Sequence, residues 1–503
     1  MMANTGLLVL TNPTKVMKLL PMIKKHVLKT LYIQYFPEKN IFLSGNQMIT
    51  NPQWQVSRYA QIVTDIYINT STIFSPLDVR VLLTICSKRE ADTFIQDYLA
   101  NTSMGCSFIN FTDDLKSGTS DSITSCANEE KTYKNVVLGG TFDRIHNGHK
   151  IILSEAALRC TEKLTVGVTD TNMLSAKLLW ELIEPCSIRI LNLKDFLEDI
   201  DPTITYEVIA INDMYGPTKC DSTFEMIVVS EETKRGGDKV NEMREKNNLN
   251  KLDIHVVKLI NDENHKKHEE SKVSSSNQRI RLLGTKLKAP QIGNKPLKPY
   301  IIGLTGGIAS GKSSVAEKLQ KLGAALVNCD KIAHDLYLPG KKCFDMIIEN
   351  FGPTILKPDG SIDRRALGNI VFNDHTQLSK LNKIVWPIIL EEAKKQIYDF
   401  NTKGFDVIVM EAAVLIQAKW QHECHEIWTC IIPQEEAIRR IAERNGLTEA
   451  DAKVRIQAQP SNVEQIKEAN VVICSLWSHN ITEEQVQRAW NESMTFLTNQ
   501  AKN

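Results

Sequence analysis

The chain has 503 residues, of which 42% are hydrophobic and 24% charged, and its 60 Lys and Arg balance 60 Asp and Glu. At roughly 100–200 residues per domain this length predicts about three domains, and a zero net charge supplies no overall field to draw the chain onto nucleic acid. No run of about 18 apolar residues offers a membrane-spanning helix. The 11 Cys lie scattered from Cys86 to Cys474 without a C-x-x-C pair, which fits reduced intracellular thiols rather than a disulfide framework or a structural zinc site.

Residues 1–37 contain no Asp or Glu, and Lys15, Lys18, Lys24, Lys25 and Lys29 sit among Leu19, Leu20, Ile23, Val27 and Leu28. An acid-poor basic amphipathic stretch serves either as a mitochondrial address or membrane-surface helix, or as ordinary folded chain. The second reading is preferred, because transit peptides are rich in Arg and this stretch has none. It predicts a strand over Leu7–Leu10, a helix from about Pro13 to Lys29 and a strand over Leu31–Tyr35. Residues 113–132 lose apolar periodicity and read as a linker. A second break at 286–299 carries Pro290, Pro296 and Pro299. The expected division is an N-terminal non-catalytic α/β region over 1–112, a domain over 133–285 and a domain over 300–503.

The middle segment predicts strands at Val136–Leu138, Leu164–Val168, Tyr206–Ile211, Met226–Val229 and Ile254–Leu259. The last predicts them at Tyr300–Leu304, Ala325–Val327, Val407–Met410, Ile427–Ile432 and Val471–Cys474. Strands alternating with helical periods imply α/β domains with parallel sheets, in which ligands bind beyond the carboxyl ends of the strands.

After the first middle strand comes Gly139-Gly140-Thr141-Phe142-Asp143-Arg144-Ile145-His146-Asn147-Gly148-His149, leading into a helix. Two imidazoles three residues apart at a helix start can donate to an anionic phosphate bridge as charge develops. The run Val273-Ser274-Ser275-Ser276-Asn277-Gln278-Arg279 fits a linker by composition and an anion-binding helix start by pattern. In the last segment, Gly306-Gly307-Ile308-Ala309-Ser310-Gly311-Lys312-Ser313-Ser314 fits G-x-x-x-x-G-K-[ST] between a strand and a helix. Such a loop wraps a nucleotide's phosphates with backbone N–H groups; its lysine reaches the β- and γ-phosphates and its Ser313 hydroxyl holds Mg²⁺. Asp330, at the end of the next strand, is placed to accept a proton from an acceptor hydroxyl or to cap a helix, and the two roles are compatible. Arg439, Arg440, Arg444 and Arg455 lie on two short helices that form a lid in this reading.

The last segment resembles dephospho-CoA kinase in Gly303–Ser313, Asp330 with Ala333, Ile362-Asp363-Arg364, Arg444-Asn445-Gly446-Leu447 and Arg455–Gln459. The resemblance implies ATP-dependent phosphorylation of the ribose 3′-hydroxyl of dephospho-CoA. Asp330 is then the base, Lys312, Arg440 and Arg444 serve the nucleotide, and Asp363, Arg364 and Glu411 lie on the substrate side. The chain departs from the family's pattern at Trp386-Pro387, Glu411 and Gln417. The middle segment resembles the H-x-G-H nucleotidyltransferases, nearest to phosphopantetheine adenylyltransferase. That likeness implies transfer of adenylate from ATP to 4′-phosphopantetheine, releasing pyrophosphate. It assigns Gly139, Thr141, His146, His149, Ser274, Ser275, Ser276 and Arg279 to the nucleotide, and Lys177 and Arg189 to phosphate or substrate. Val229–Thr233 and Arg235-Gly236-Gly237 fall where that superfamily binds adenosine and phosphate. The product of the first reaction is the substrate of the second, and the order of the two resembles the bifunctional coenzyme A synthases of animals. What this implies is a cytoplasmic enzyme that uses ATP and Mg²⁺, binds no nucleic acid, and associates with the mitochondrial outer membrane or matrix through its N-terminal region. Two other readings stay open: an ATP-binding scaffold with one site inactive, and a small-molecule kinase of another specificity.

Overall fold

A strand inside a parallel sheet is covered on both faces, so its apolar residues form a continuous run instead of alternating. In the computed structural model, which describes residues 3–10, 13, 16–23, 25, 27–35, 56–71, 77–84, 131–372 and 374–500, such runs build three parallel sheets. The chain divides into two units, Met1–Gln278 and Arg279–Asn503.

The first unit opens with β1 (Ala3–Leu10), α1 (Val16–Ile23), β2 (Val27–Tyr35), α2 (Val56–Ser71) and β3 (Asp78–Leu82). The three strands form one sheet in the order β1-β2-β3. The helix expected to run to Lys29 ends at Ile23, and the strand expected from Leu31 begins at Val27. Val27, Leu31 and Ile33 are buried there, and burial of these β-branched and apolar side chains outweighs the exposed Lys29 between them. Val16 and Ile23 on α1 are also buried. The linker expected at 113–132 falls, up to residue 130, outside the described residues.

The middle segment contributes β4 (Tyr133–Gly140), α3 (Asn147–Arg159), β5 (Cys160–Thr169), α4 (Cys186–Ile200), β6 (Thr205–Ile211), β7 (Met226–Ser230), α5 (Lys234–Lys246) and β8 (Asp253–Val257). The sheet order is β6-β5-β4-β7-β8, all parallel. The crossover direction reverses between β4 and β7, which opens a crevice beyond their carboxyl ends. Apolar residues of α2 and β3 share a core with α3, α4, β4 and β5. Helix α6 (Ser275–Leu282) contains the boundary between the units.

The second unit runs β9 (Tyr300–Gly306), α7 (Lys312–Lys321), β10 (Ala325–Asn328), α8 (Cys329–Leu336), α9 (Lys342–Phe351), α10 (Arg364–Phe372) and α11 (His375–Thr402). It continues through β11 (Val407–Glu411), β12 (Glu426–Ile431), α12 (Gln434–Asn445), α13 (Glu449–Gln457), α14 (Asn462–Glu468), β13 (Val471–Cys474) and α15 (His479–Gln500). Its parallel sheet has the order β10-β11-β9-β12-β13. The stretch 286–299, expected as a linker, lies along the β13 edge. Leu287 N–H donates to Asn470 O at 2.7 Å, Asn470 Nδ2 to Ala289 O at 2.8 Å, and Gln291 N–H to His425 O at 2.8 Å. Lys286 Nζ lies 2.6 Å from the buried carboxylate of Glu426. Composition marks this stretch as polar, but its backbone groups and one lysine pair with groups that would otherwise leave a sheet edge open. Among the described residues no helix is long and apolar enough to cross a membrane.

Two candidate active sites

Beyond the ends of β4, β5, β7 and β8 lies a cavity of about 620 Å³, lined by Gly139, Thr141, His146, His149, Lys177, Ser274 and Ser275, among others. His146 is the N-cap of α3, and its Nδ1 accepts the backbone N–H of His149 at 3.4 Å. An accepting Nδ1 leaves the proton of the neutral ring on Nε2, which lies 3.5 Å from Ser275 Oγ. The two imidazoles stack at 3.8 Å with 18° between their planes. Gly148 makes this possible: a Cβ there would meet the His146 ring at 3.1 Å. Burial, then the neighbouring charges of His149 and Lys150, lowers the His146 pKa well below its usual value. Burial also pushes His149 down to about 4, against the pull of Asp143 and with the help of Lys177. Both rings are therefore neutral N–H donors at pH 7, and they stand where the helix N-terminus already favours an anion.

In the second unit, Gly306–Ser314 wraps a cavity of about 640 Å³ that Asp330, Arg440, Arg444 and Gln459 also line. Lys312 Nζ lies 2.7 Å from Asp330 Oδ2 and 3.1 Å from Glu411 Oε1. Burial opposes the ammonium charge, but the two carboxylates outweigh it and hold the Lys312 pKa above its usual value. Ser313 Oγ donates to Glu411 Oε1 at 3.1 Å, and Asn328 Nδ2 to Glu411 Oε2 at 2.8 Å. The loop is held from behind. Gln459 Oε1 accepts the Ile308 N–H at 2.7 Å, Arg440 donates to Ala309 O at 3.2 Å and to Ser475 Oγ at 2.8 Å, and Ser475 Oγ donates to Ser310 O at 2.8 Å. Gly311 takes φ +85° and passes Ser475 so closely that a Cβ would lie 2.9 Å from its hydroxyl.

Several sequence-predicted residues take other roles. Arg189, expected to bind substrate, is 1% exposed and donates to the carbonyls of Glu184, Thr141 and Thr169 at 2.8, 2.6 and 2.9 Å. A buried guanidinium committed to three carbonyls fixes the Thr141 turn and has no open face to offer. Glu411, expected on the substrate side, is 1% exposed, and its bonds to Lys312, Ser313 and Asn328 put it on the phosphate side. Asp363 Oδ1 accepts the N–H groups of Arg365 and Ala366 at 2.8 and 3.2 Å, so it caps α10. Arg364 bonds His334 on α8, with NH1 3.0 Å from Nε2. Neither Asp363 nor Arg364 lines the phosphate cavity. Ser276 and Arg279 do not line the first cavity, and Arg279 is buried. Trp386 packs against the core that Val385 and Ile389 belong to, and Gln417 is exposed. Sequence reasoning missed Lys272, which pairs at the first cavity with Glu232 of the expected Val229–Thr233 stretch, and Asn328 and Ser475 at the second. Each stands at a strand end or loop with no motif spacing to mark it.

Residues 300–478 match the family model described as dephospho-CoA kinase. The dephospho-CoA kinase of Carboxydothermus hydrogenoformans is 44% identical over 186 residues, covering 37% of this chain and 90% of that protein. This chain belongs to the dephospho-CoA kinase family. The dephospho-CoA kinase of Symbiobacterium thermophilum is 39% identical over 190 residues, 38% of this chain and 80% of that protein. Among solved structures, dephospho-CoA kinase from Campylobacter jejuni is 25% identical, covers 38% of this chain and 96% of its own, and has a TM-score of 0.31. Residues 137–281 match the family model described as cytidylyltransferase-like. A cytidylyltransferase-like domain thus precedes the dephospho-CoA kinase domain, and the cavity bearing His146 and His149 lies within the first match.

Proposed function

We propose that this chain carries out the last two steps of coenzyme A synthesis. In the first, an oxygen of the 4′-phosphate of phosphopantetheine attacks the α-phosphorus of ATP; the bond to the β-phosphate breaks, giving dephospho-CoA and pyrophosphate. In the second, the ribose 3′-hydroxyl of dephospho-CoA attacks the γ-phosphorus of another ATP, giving coenzyme A and ADP. The observation that carries this reading is a paired-imidazole cavity at a helix start in the same chain as a dephospho-CoA kinase domain.

In the first site His146 and His149 donate to the polyphosphate, Lys177 adds a positive charge, and the Ser274–Ser275 helix start receives the leaving pyrophosphate. The enzyme aligns the groups and needs no covalent intermediate. In the second site the polyphosphate takes over Lys312, and Asp330, released from its 2.7 Å ion pair, accepts the 3′-hydroxyl proton. Arg444 completes the charge on the transferring group. The Ser313 hydroxyl and the Glu411 carboxylate are hard oxygens of the kind Mg²⁺ takes together with nucleotide phosphates. Held there, the ion would supply positive charge to offset that of the transferring phosphate.

The test is the product profile of the purified chain given phosphopantetheine, ATP and Mg²⁺. Coenzyme A is the expected product. Dephospho-CoA alone would mean a kinase of other specificity, and no consumption would mean an ATP-binding scaffold. We place the enzyme in the cytoplasm, in contact with the mitochondrial outer membrane through its basic N-terminal stretch. Because Val16 and Ile23 are buried, the contact runs through charge and not insertion. Reversing Lys15, Lys24 and Lys25 to Glu is expected to abolish co-sedimentation with mitochondria, and unchanged co-sedimentation removes the idea.

A further inference from the structure

We propose that the N-terminal module is a positioning part of the adenylyl-transfer site: through Asn147 and Lys150 it holds the first turn of α3, and with it His146 and His149. The inference rests on the reading of that cavity as the adenylyl-transfer site.

Asn147 and Lys150 each follow one of the two histidines, so they share one face of the helix start while His146 and His149 share the adjacent one. The module grips that first face. Asn147 Nδ2 donates to Tyr67 O at 2.9 Å and to Thr70 Oγ1 at 3.2 Å, both on α2. Lys150 is 5% exposed, and its Nζ lies 2.5 Å from Asp78 Oδ1 and 2.7 Å from Val79 O, both on β3. A buried ammonium cannot drift from the carboxylate that compensates it without a large electrostatic cost.

The anchors are themselves fixed. Tyr67, whose carbonyl receives Asn147, is buried, and its hydroxyl accepts the Val81 N–H at 3.0 Å. Arg80 ties Asp78, at 2.8 Å, to Asp195 at 2.8 Å and Asp199 at 2.5 Å on α4. Leu83 N–H donates to Ile200 O at 2.8 Å. The module therefore braces the helix that carries the imidazoles and the helix that carries Arg189, whose guanidinium fixes the Thr141 turn. Displacement of a reacting geometry by about 1 Å costs roughly 100-fold in rate, so a clamp at this turn acts on catalysis as well as on folding. The charged and titratable groups facing His149 are Asp143, Lys177 and His146, with Lys150 beside His146. A loosened turn admits water to the ring.

The test uses the full chain with Asn147→Ala and Asp78→Asn, each assayed for dephospho-CoA formation, for phosphorylation of supplied dephospho-CoA, and for His149 titration by NMR of labelled imidazole. The proposal expects kcat for dephospho-CoA formation to fall about tenfold or more, with KM within about twofold. It also expects His149 to titrate above its wild-type value, toward the ordinary value of about 6.5. The kinase step on supplied dephospho-CoA should stay at the wild-type rate. Folded variants with wild-type kcat and wild-type His149 titration overturn it, as does a lower kcat with an unmoved titration, which marks a merely structural loss. If Asp78→Asn does not fold, Asn147→Ala, which strands no charge, decides alone. A wild-type chain that forms no dephospho-CoA takes down the reading of the cavity and the inference with it; variants matching an active wild type take down the inference only.

Discussion

The two cavities present charge to a ligand in opposite ways. The cradle of the kinase domain stores its charge in advance: Lys312 is ionised and already compensated by Asp330 and Glu411. A polyphosphate entering it exchanges one set of anions for another. The cytidylyltransferase-like cavity keeps its imidazoles neutral by burial and relies on N–H dipoles, a helix N-terminus and Lys177. The first arrangement suits transfer of a terminal phosphoryl group, whose charge lies on the outer oxygens of one phosphate and on its leaving oxygen. The second suits attack at an inner phosphorus, where a field of fixed dipoles strengthens as the bridge oxygen becomes charged.

The sharpest way to break this comparison is Lys312→Ala. It is expected to reduce kinase turnover about 1,000-fold, roughly 4 kcal/mol of transition-state stabilisation, while adenylyl transfer continues. Dephospho-CoA should accumulate in a chromatographic assay, and continued coenzyme A formation would show that the stored charge is not used. His149→Ala should have the smaller effect of about 100-fold, because a neutral donor contributes less than a full charge. It acts on the first step alone, so supplied dephospho-CoA should still be phosphorylated at the wild-type rate. Loss of both steps would mean that the sites do not work independently.

The same contrast predicts different responses to acid. His149 has its folded-state pKa depressed to about 4, below the unfolded value of about 6.5. Its contribution to stability is therefore present above pH 6.5 and is lost as pH falls from 6.5 toward 4, because the unfolded chain takes up the proton first. For this ring the loss is about 3 kcal/mol in full. Lys312, whose pKa is raised, keeps its contribution throughout that range and loses it only in alkali above its ordinary pKa. Urea unfolding of the wild type and of His149→Asn at pH 7.5 and 5 should show the wild type losing more stability on acidification. Equal losses would mean that the imidazole is not held neutral by burial.

How far the sequence could be read follows the same division between backbone and side-chain causes. The ten strands expected in the last two segments all form, with ends shifted by up to four residues, because parallel strands announce themselves as unbroken apolar runs. The glycine loop and the paired histidines were legible because each places its chemistry within one turn of chain. Arg189 and Glu411 were found but given other roles, since spacing tells where a charge lies along the chain and not whether it faces a cavity or three carbonyls. Helix α1 was overextended because Val27 and Leu28 keep the helical period while Val27 is buried in a sheet. Ser475 and Asn328 brace their cradle from other elements, and no local pattern could assemble them. The polar stretch 286–299 misled for the same reason: its partners, Asn470 and Glu426, lie more than 100 residues away.

The smallest predicted effect asks how tightly the imidazole pair is built. Gly148 has no unusual backbone angle; what requires glycine is space, since a Cβ would lie 3.1 Å from Cε1 and Nδ1 of His146 and 3.7 Å from Val273 O. An alanine would push the ring by a few tenths of an ångström. That ring receives the His149 N–H at 3.4 Å and stacks on its neighbour at 3.8 Å, so the shift reaches both donors. Gly148→Ala should therefore lower adenylyl transfer about tenfold, even though alanine favours the helix by roughly 1 kcal/mol over glycine. A variant equally or more heat-stable yet slower in the first step, with the kinase step untouched, separates ring placement from fold stability. An unchanged rate would show that the stacked geometry has slack, and that the neutral-dipole site tolerates displacement that a point charge on a flexible lysine stem would also absorb.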